Sequence, residues 1–193
     1  KALVRMPLAM VTFMAPALAF LGGPKFMQWF STEPEPGLQG RQIALPRGRG
    51  VGGSTNVNGQ IFIRGQREDF DHWRDLGNRG WGYDDLLPYF RKLERFELLA
   101  DPKSGRHVKL GGRTLAEQVD PKFHGTDGPL NIAPLRSLNP MTGVYLEAAQ
   151  LAGYPLTADF NGARQNGVGY YTFTQRDGER LTAERAYLDP VRG

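Results

Sequence analysis

The chain has 193 residues, 40% of them hydrophobic and 23% charged, with a formal net charge of +4. This is an ordinary globular balance, long enough for one domain or parts of two. The absence of cysteine excludes disulfides, thiolate zinc sites and thiol nucleophiles. No helix carries a basic stripe and no nucleic-acid motif appears, so the mild positive charge does not point to nucleic acid.

Ala2–Leu21 is mostly apolar, follows Lys1, contains Arg5 and ends in Ala17-Leu18-Ala19. It mimics a secretory leader and approaches the length of a membrane helix. Pro7 and Pro16 argue against one continuous helix. After the short apolar run Ile43-Ala44-Leu45 comes Pro46–Trp73, which packs six glycines and four arginines around Ile61-Phe62-Ile63. Glycines let backbone N–H groups come close to a ligand, and successive N–H groups cradle anionic oxygens. A diphosphate-bearing cofactor is the natural guest, and Arg41, Arg47, Arg49, Arg64 and Arg67 beside the loop suit a phosphate site.

Gly48, Gly50 and Gly53 spell G-x-G-x-x-G, but the dinucleotide fingerprint needs a buried strand before it and a helix after it. Thr55-Asn56-Val57-Asn58-Gly59 is a poor helix former. The P-loop reading lacks its lysine. Within the loop, Gly50, Gly52, Gly53 and Ser54 are the candidates for contact with diphosphate or ribose, since a plain turn needs one or two glycines, not four in six positions.

Gly59–Gly65 is a strand candidate. Asp84–Leu99 reads as an amphipathic helix with Leu86, Phe90, Leu93 and Glu97 on one face, and Pro88 in or near its first turn. Residues 100–123 form a polar connector, with a short helix at Thr114–Val119. Asp127–Ala133 is a strand. Asn139 caps a helix that begins with Pro140 and ends before Gly153, with Met141, Val144, Tyr145, Ala148 and Leu151 on its buried face. Val168–Thr174 is a strand, Asp177-Gly178 a hairpin turn, and Thr182 caps a short helix that Pro190 ends. The fold class is mixed α/β or α+β. The tryptophans Trp29, Trp73 and Trp81, with Tyr170, Tyr171 and Phe173, are assigned to a core or a domain interface.

His72, His107 and His124 are the only histidines, and none has metal-ligand spacing to another. The acid pairs Asp69/Asp71 and Asp84/Asp85 read as helix-start residues. No residue is assigned a catalytic role and no metal site is expected.

Five blocks in order carry a resemblance to a known family. Trp29–Leu38 with Gly40-Arg41, the glycine loop, Gly80–Phe90, His124–Leu130 and Arg180–Pro190 resemble segments of the glucose–methanol–choline (GMC) flavin oxidoreductases, closest in flavour to choline-dehydrogenase-like alcohol dehydrogenases. The resemblance implies part of a Rossmann-like FAD domain over residues 1–110, and a connector with the start of a substrate domain over 111–193. It places Asn58, Gly59, Gln60 and Ile61 along the flavin ring, although Asn-Gly is also a strong turn signal by itself. Val57 stands where some members carry a histidine joined to the flavin, so FAD is expected to be non-covalent. The implied activity is oxidation of a primary alcohol by hydride transfer to flavin, with the acceptor, and so oxidase or dehydrogenase, undetermined. The other class of reading is a non-enzymatic nucleotide-binding or interaction module.

The family's opening fingerprint and closing catalytic histidine have no match here, so the chain is expected to be an internal fragment. Segment 2–21 is then expected to cover the cofactor or line the substrate entrance. A cytoplasmic location is expected, with a peripheral membrane contact left open.

Overall fold

Antiparallel strands β1 (Met27–Ser31) and β2 (Ala44–Gly48) pair from Met27 opposite Gly48 to Ser31 opposite Ala44. The computed structural model describes residues 26–101 and 103–192, so the apolar segment 2–21 lies outside the described residues. The chain divides into two compact units, Lys1–Gln60 with Glu179–Gly193, and Ile61–Gly178. Helix and strand are mixed, as the sequence predicts.

In the first unit, β1 and β2 lead to the glycine loop, whose last part is a 3-10 turn, Gly53–Asn56. Residues from Glu179 onward add an extended pair, Glu179–Arg180, then a π-helical turn, Glu184–Leu188. Thr182 Oγ1 accepts from Arg185 N–H at 3.3 Å, although Ala183 rather than Thr182 is the residue that directly precedes this turn.

The second unit opens with helices α1 (Arg67–Asp75) and α2 (Tyr83–Leu93). Asp69 accepts from Gln66 N–H and Asp85 from Gly82 N–H, satisfying orphan donors at the two helix starts. Helix α2 stops at Leu93 rather than running to Leu99. Glu94–Phe96 is instead strand β3, and a one-turn helix α3 (Glu97–Ala100) follows. The sheet claims these residues: β3 pairs in parallel with β6 (Leu130–Pro134), placing Glu94 opposite Leu130. Pro88 lies in the second turn of α2, not the first, so the helix carries a real gap in its hydrogen-bond ladder.

The connector holds a tiny hairpin, β4 (Lys109–Leu110) and β5 (Arg113–Thr114), and a 3-10 turn at Ala116–Gln118 where a short helix was expected. Strand β7 (Thr172–Arg176) pairs antiparallel with β6, two to four residues later than the predicted strand. Asp177 and Gly178 then turn with φ of 53° and 79°, the handedness a tight hairpin turn demands. Phe96, Leu98, Val108, Leu115, Ile132 and Leu146 form the centre of this unit's core.

Two expectations fail here. Residues 59–65 form no strand. Ile61 makes a single bridge to Phe173, and the Asn161 side chain takes over as backbone partner, accepting from Arg64 N–H at 2.8 Å and donating to Phe62 O at 3.1 Å. The second failure concerns helix α4 (Pro140–Leu151). Its caps are as predicted, with Asn139 accepting from Met141 N–H, but Met141, Val144, Tyr145, Ala148 and Leu151 are all exposed and Leu146 is the buried residue. Periodicity found the helix but assigned the wrong side to the core. The tryptophans are about half exposed, at 49% for Trp29, 46% for Trp73 and 51% for Trp81, which leaves the domain-interface half of their assignment open, whereas Tyr170 is buried.

Candidate cofactor loop

The glycine loop locks itself with its own hydrogen bonds. Gly48 N–H donates to Ser54 Oγ at 3.1 Å, Asn56 Nδ2 to Val51 O at 2.8 Å, and Thr55 Oγ1 to Gly52 O. Gly48 has no room for a side chain, because a Cβ there would strike the backbone of Gly53 and Ser54. Gly50, Gly52 and Gly53 adopt φ of 117°, 93° and 54°, which glycine adopts freely. Around Gly50 and Gly53 an added Cβ would find nothing within 4 Å, so the backbone at both faces open space. An antiparallel strand before the loop and a 3-10 turn after it are not the strand–helix frame of a dinucleotide fingerprint, as the sequence indicated.

Of the eight candidate residues, Gly50, Ser54, Asn58, Gly59 and Ile61 are exposed, Gly52 and Gly53 half-buried, and Gln60 buried. Gln60 also takes a φ of 62°, uncommon outside glycine. Val57 is buried at 6% exposure. The loop therefore alternates between residues that face out and residues that anchor it.

Beneath the loop lies Arg180, 1% exposed. Its Nη1 donates to Asn58 O at 2.7 Å, Thr55 O at 3.2 Å and Asn58 Oδ1 at 3.2 Å. Nε and Nη2 have no hydrogen-bond partner among the described residues. Burial lowers its pKa to about 10, so it remains a cation at neutral pH. Thr55 Oγ1 also accepts from Ala183 N–H at 3.0 Å, so the segment after Glu179 is fastened to the loop at two places. Arg180 is not evident as part of this site from the sequence, where it appears only as the first residue of the Arg180–Pro190 block.

The arginines near the loop divide. Arg41, Arg47 and Arg49 are exposed, but Arg64 and Arg67 are committed to protein partners. Arg67 binds both carboxylate oxygens of Asp84, at 2.7 and 2.8 Å. Arg64 is buried, donating to Glu94 Oε2 at 2.6 Å and Phe123 O at 2.7 Å. Glu94 Oε2 also meets His124 Nδ1 at 3.1 Å, and His124 Nε2 meets Asp159 Oδ2 at 2.8 Å. His124 is 2% exposed and stacks on Phe96 with ring centroids 4.0 Å apart. It is a structural residue inside a buried charge chain. The neighbouring glycines fit that role, since a Cβ at Gly125 or Gly128 would strike the backbone of residues 91–94. His72 is exposed, and His107 Nε2 meets Leu135 O at 2.9 Å. No described helix is long and apolar enough to cross a membrane.

Residues 7–193 match the family model described as GMC oxidoreductase. The chain belongs to the GMC oxidoreductase family. It is 38% identical over 179 residues to an oxygen-dependent choline dehydrogenase of Brucella anthropi, covering 92% of this chain and 29% of that protein. A protein of the same description from Sinorhizobium medicae is 37% identical with the same coverage. Among solved structures, pyridoxine 4-oxidase from Mesorbium loti aligns with a TM-score of 0.76 and 32% identity over 98% of this chain and 32% of that one. An FAD-dependent oxidoreductase from Chaetomium thermophilum aligns at 0.71 with 26% identity, over 86% and 28% of the two chains. The chain thus spans under a third of the length of the relatives it matches.

Proposed function

We propose that this chain supplies the central loop of a non-covalent FAD site in an enzyme that oxidises a primary alcohol. FAD, when bound, supplies the acceptor for the hydride that leaves the alcohol carbon. The chain's own residues do the holding. Gly50, Gly52, Gly53 and Ser54 lie along the diphosphate and ribose, where small residues allow the backbone close approach and Ser54 retains a hydroxyl proton to donate. Asn58, Gly59, Gln60 and Ile61 lie along the ring. The observation that carries this reading is the open backbone at Gly50 and Gly53 within a self-locked loop. Two further facts support it: the buried cation beneath the loop, and relatives named as choline dehydrogenases and a pyridoxine oxidase, whose named substrates are alcohols.

The test compares glycine substitutions in the full-length protein. Gly53→Val is expected to weaken FAD binding by more than the ~1 kcal/mol of an ordinary glycine replacement, because its side chain enters the space assigned to the cofactor. Unchanged FAD affinity in folded Gly53→Val protein counts against the reading, as does purified wild-type protein that shows no flavin absorption and takes up no added FAD.

A further inference from the structure

A buried guanidinium without a carboxylate is costly unless some other negative charge compensates it. Arg180 is in that position. It is 1% exposed, donates only through Nη1, and has Nε and Nη2 without partners among the described residues. The acids on its own segment are taken. Glu179 pairs with Arg185 Nη2 at 2.9 Å, and Glu184 with Arg192 Nη1 at 2.7 Å. Arg185 Nη1 further donates to the Arg180 carbonyl, which fixes the backbone of Arg180. The positive charge therefore faces the Thr55–Asn58 backbone with nothing described to neutralise it.

Its one bonded nitrogen also orients Asn58. Asn58 Oδ1 accepts from Arg180 Nη1 at 3.2 Å and from Gln60 N–H at 3.0 Å. With Oδ1 so engaged, the amide nitrogen Nδ2 is the group that exposed Asn58 presents to a ligand. A donor on the outer face and a cation below it both favour negative charge on whatever lies against Asn58 and Gly59.

We propose that Arg180 is a positioning residue that acts through Asn58 and stabilises the negative charge the flavin ring acquires on reduction. The proposal rests on the FAD reading above. It treats the uncompensated charge as part of the redox site, where a loop clamp alone would need only the three hydrogen bonds.

The experiment uses the full-length holoprotein and three variants: Arg180→Met, which removes charge and hydrogen bonds; Arg180→Gln, neutral but able to donate to the same carbonyls; and Arg180→Lys, which keeps the charge. FAD content, the two-electron reduction potential and the dissociation constant for sulfite, an anionic probe of the ring, are measured for each. The expected result is a lower potential and sulfite binding weakened about tenfold or more in the Met and Gln variants, the scale of losing one neighbouring charge, with both near wild type in the Lys variant. If Met fails to fold, Gln and Lys carry the comparison. FAD retained with unchanged potential and sulfite affinity in either neutral variant overturns the proposal and leaves a clamp compensated elsewhere in the protein. A Lys variant shifted as far as the neutral ones also overturns it. A wild-type protein that binds no FAD overturns both this proposal and the reading beneath it.

Discussion

Asp159 Oδ2 lies 2.8 Å from Nε2 of His124, while the opposite ring nitrogen of the same histidine meets Glu94. Only the imidazolium has N–H groups to donate on both sides. Burial pulls the His124 pKa down, but the hydrogen bonds to Asp159 and Glu94 outweigh it and hold the pKa above its ordinary 6.5. A raised folded-state pKa contributes stability that is fully present below the unfolded value and is lost as pH rises through the folded one. Thermal unfolding should therefore show Tm falling as pH rises above about 6.5, with the slope reduced in His124→Gln. A slope unchanged by the substitution would assign the pH dependence to other groups.

The Arg64–Glu94 pair makes a prediction of a different kind. Both side chains are buried, at 3% and 0% exposure, with 2.6 Å between them. Glu94→Gln leaves Arg64 uncompensated and should cost about 3–5 kcal/mol in urea unfolding. Adding Arg64→Met should then cost less than Arg64→Met alone, because the charge it removes has already lost its partner. Additive single effects would show that the two act independently.

Gly125 and Gly128 sit against the backbone where α2 gives way to β3, so their neighbours cannot swing aside as a side chain could. Gly128→Ala should destabilise the protein by at least the ~1–3 kcal/mol of core overpacking. Gly143 lies on α4 with nothing within 4 Å of an added Cβ, and Gly143→Ala should be neutral or slightly stabilising. Chemical denaturation of the two variants side by side checks both.

Val57 bears on cofactor attachment. Valine has no nucleophilic atom, and here it is buried at 6% exposure. Acid precipitation of the full-length holoprotein should release all FAD to the supernatant. Yellow colour kept by the washed pellet would refute a non-covalent site.

What the sequence made legible was local. The glycine loop could be read because its geometry depends on residues within ten positions of one another, such as Gly48 and Ser54. The ends of α4 were legible for the same reason, through Asn139, Pro140 and Gly153. Its buried side was not, because an apolar stripe announces a partner without saying which chain segment provides it. Glu94–Phe96 looked helical by periodicity and became strand because β6 offered hydrogen bonds from more than thirty residues away. Arg64 was grouped with phosphate-binding arginines for want of any local sign that Glu94 would claim it. Arg180 was hidden likewise, since the carbonyls it holds lie over 120 residues earlier.

The substitution of Asn161 for a β-ladder partner has a kinetic cost. Arg64 N–H reaches its acceptor only after the chain closes a loop with a sequence separation of 97. The length-dependent part of that closure entropy is about 4 kcal/mol, incurred before the contact returns anything. Until then Ile61, Phe62 and Ile63 remain an unpaired apolar run. During synthesis this segment leaves the ribosome some hundred residues ahead of the amide that secures it, which makes it a natural place for a chaperone to bind and for a protease to cut.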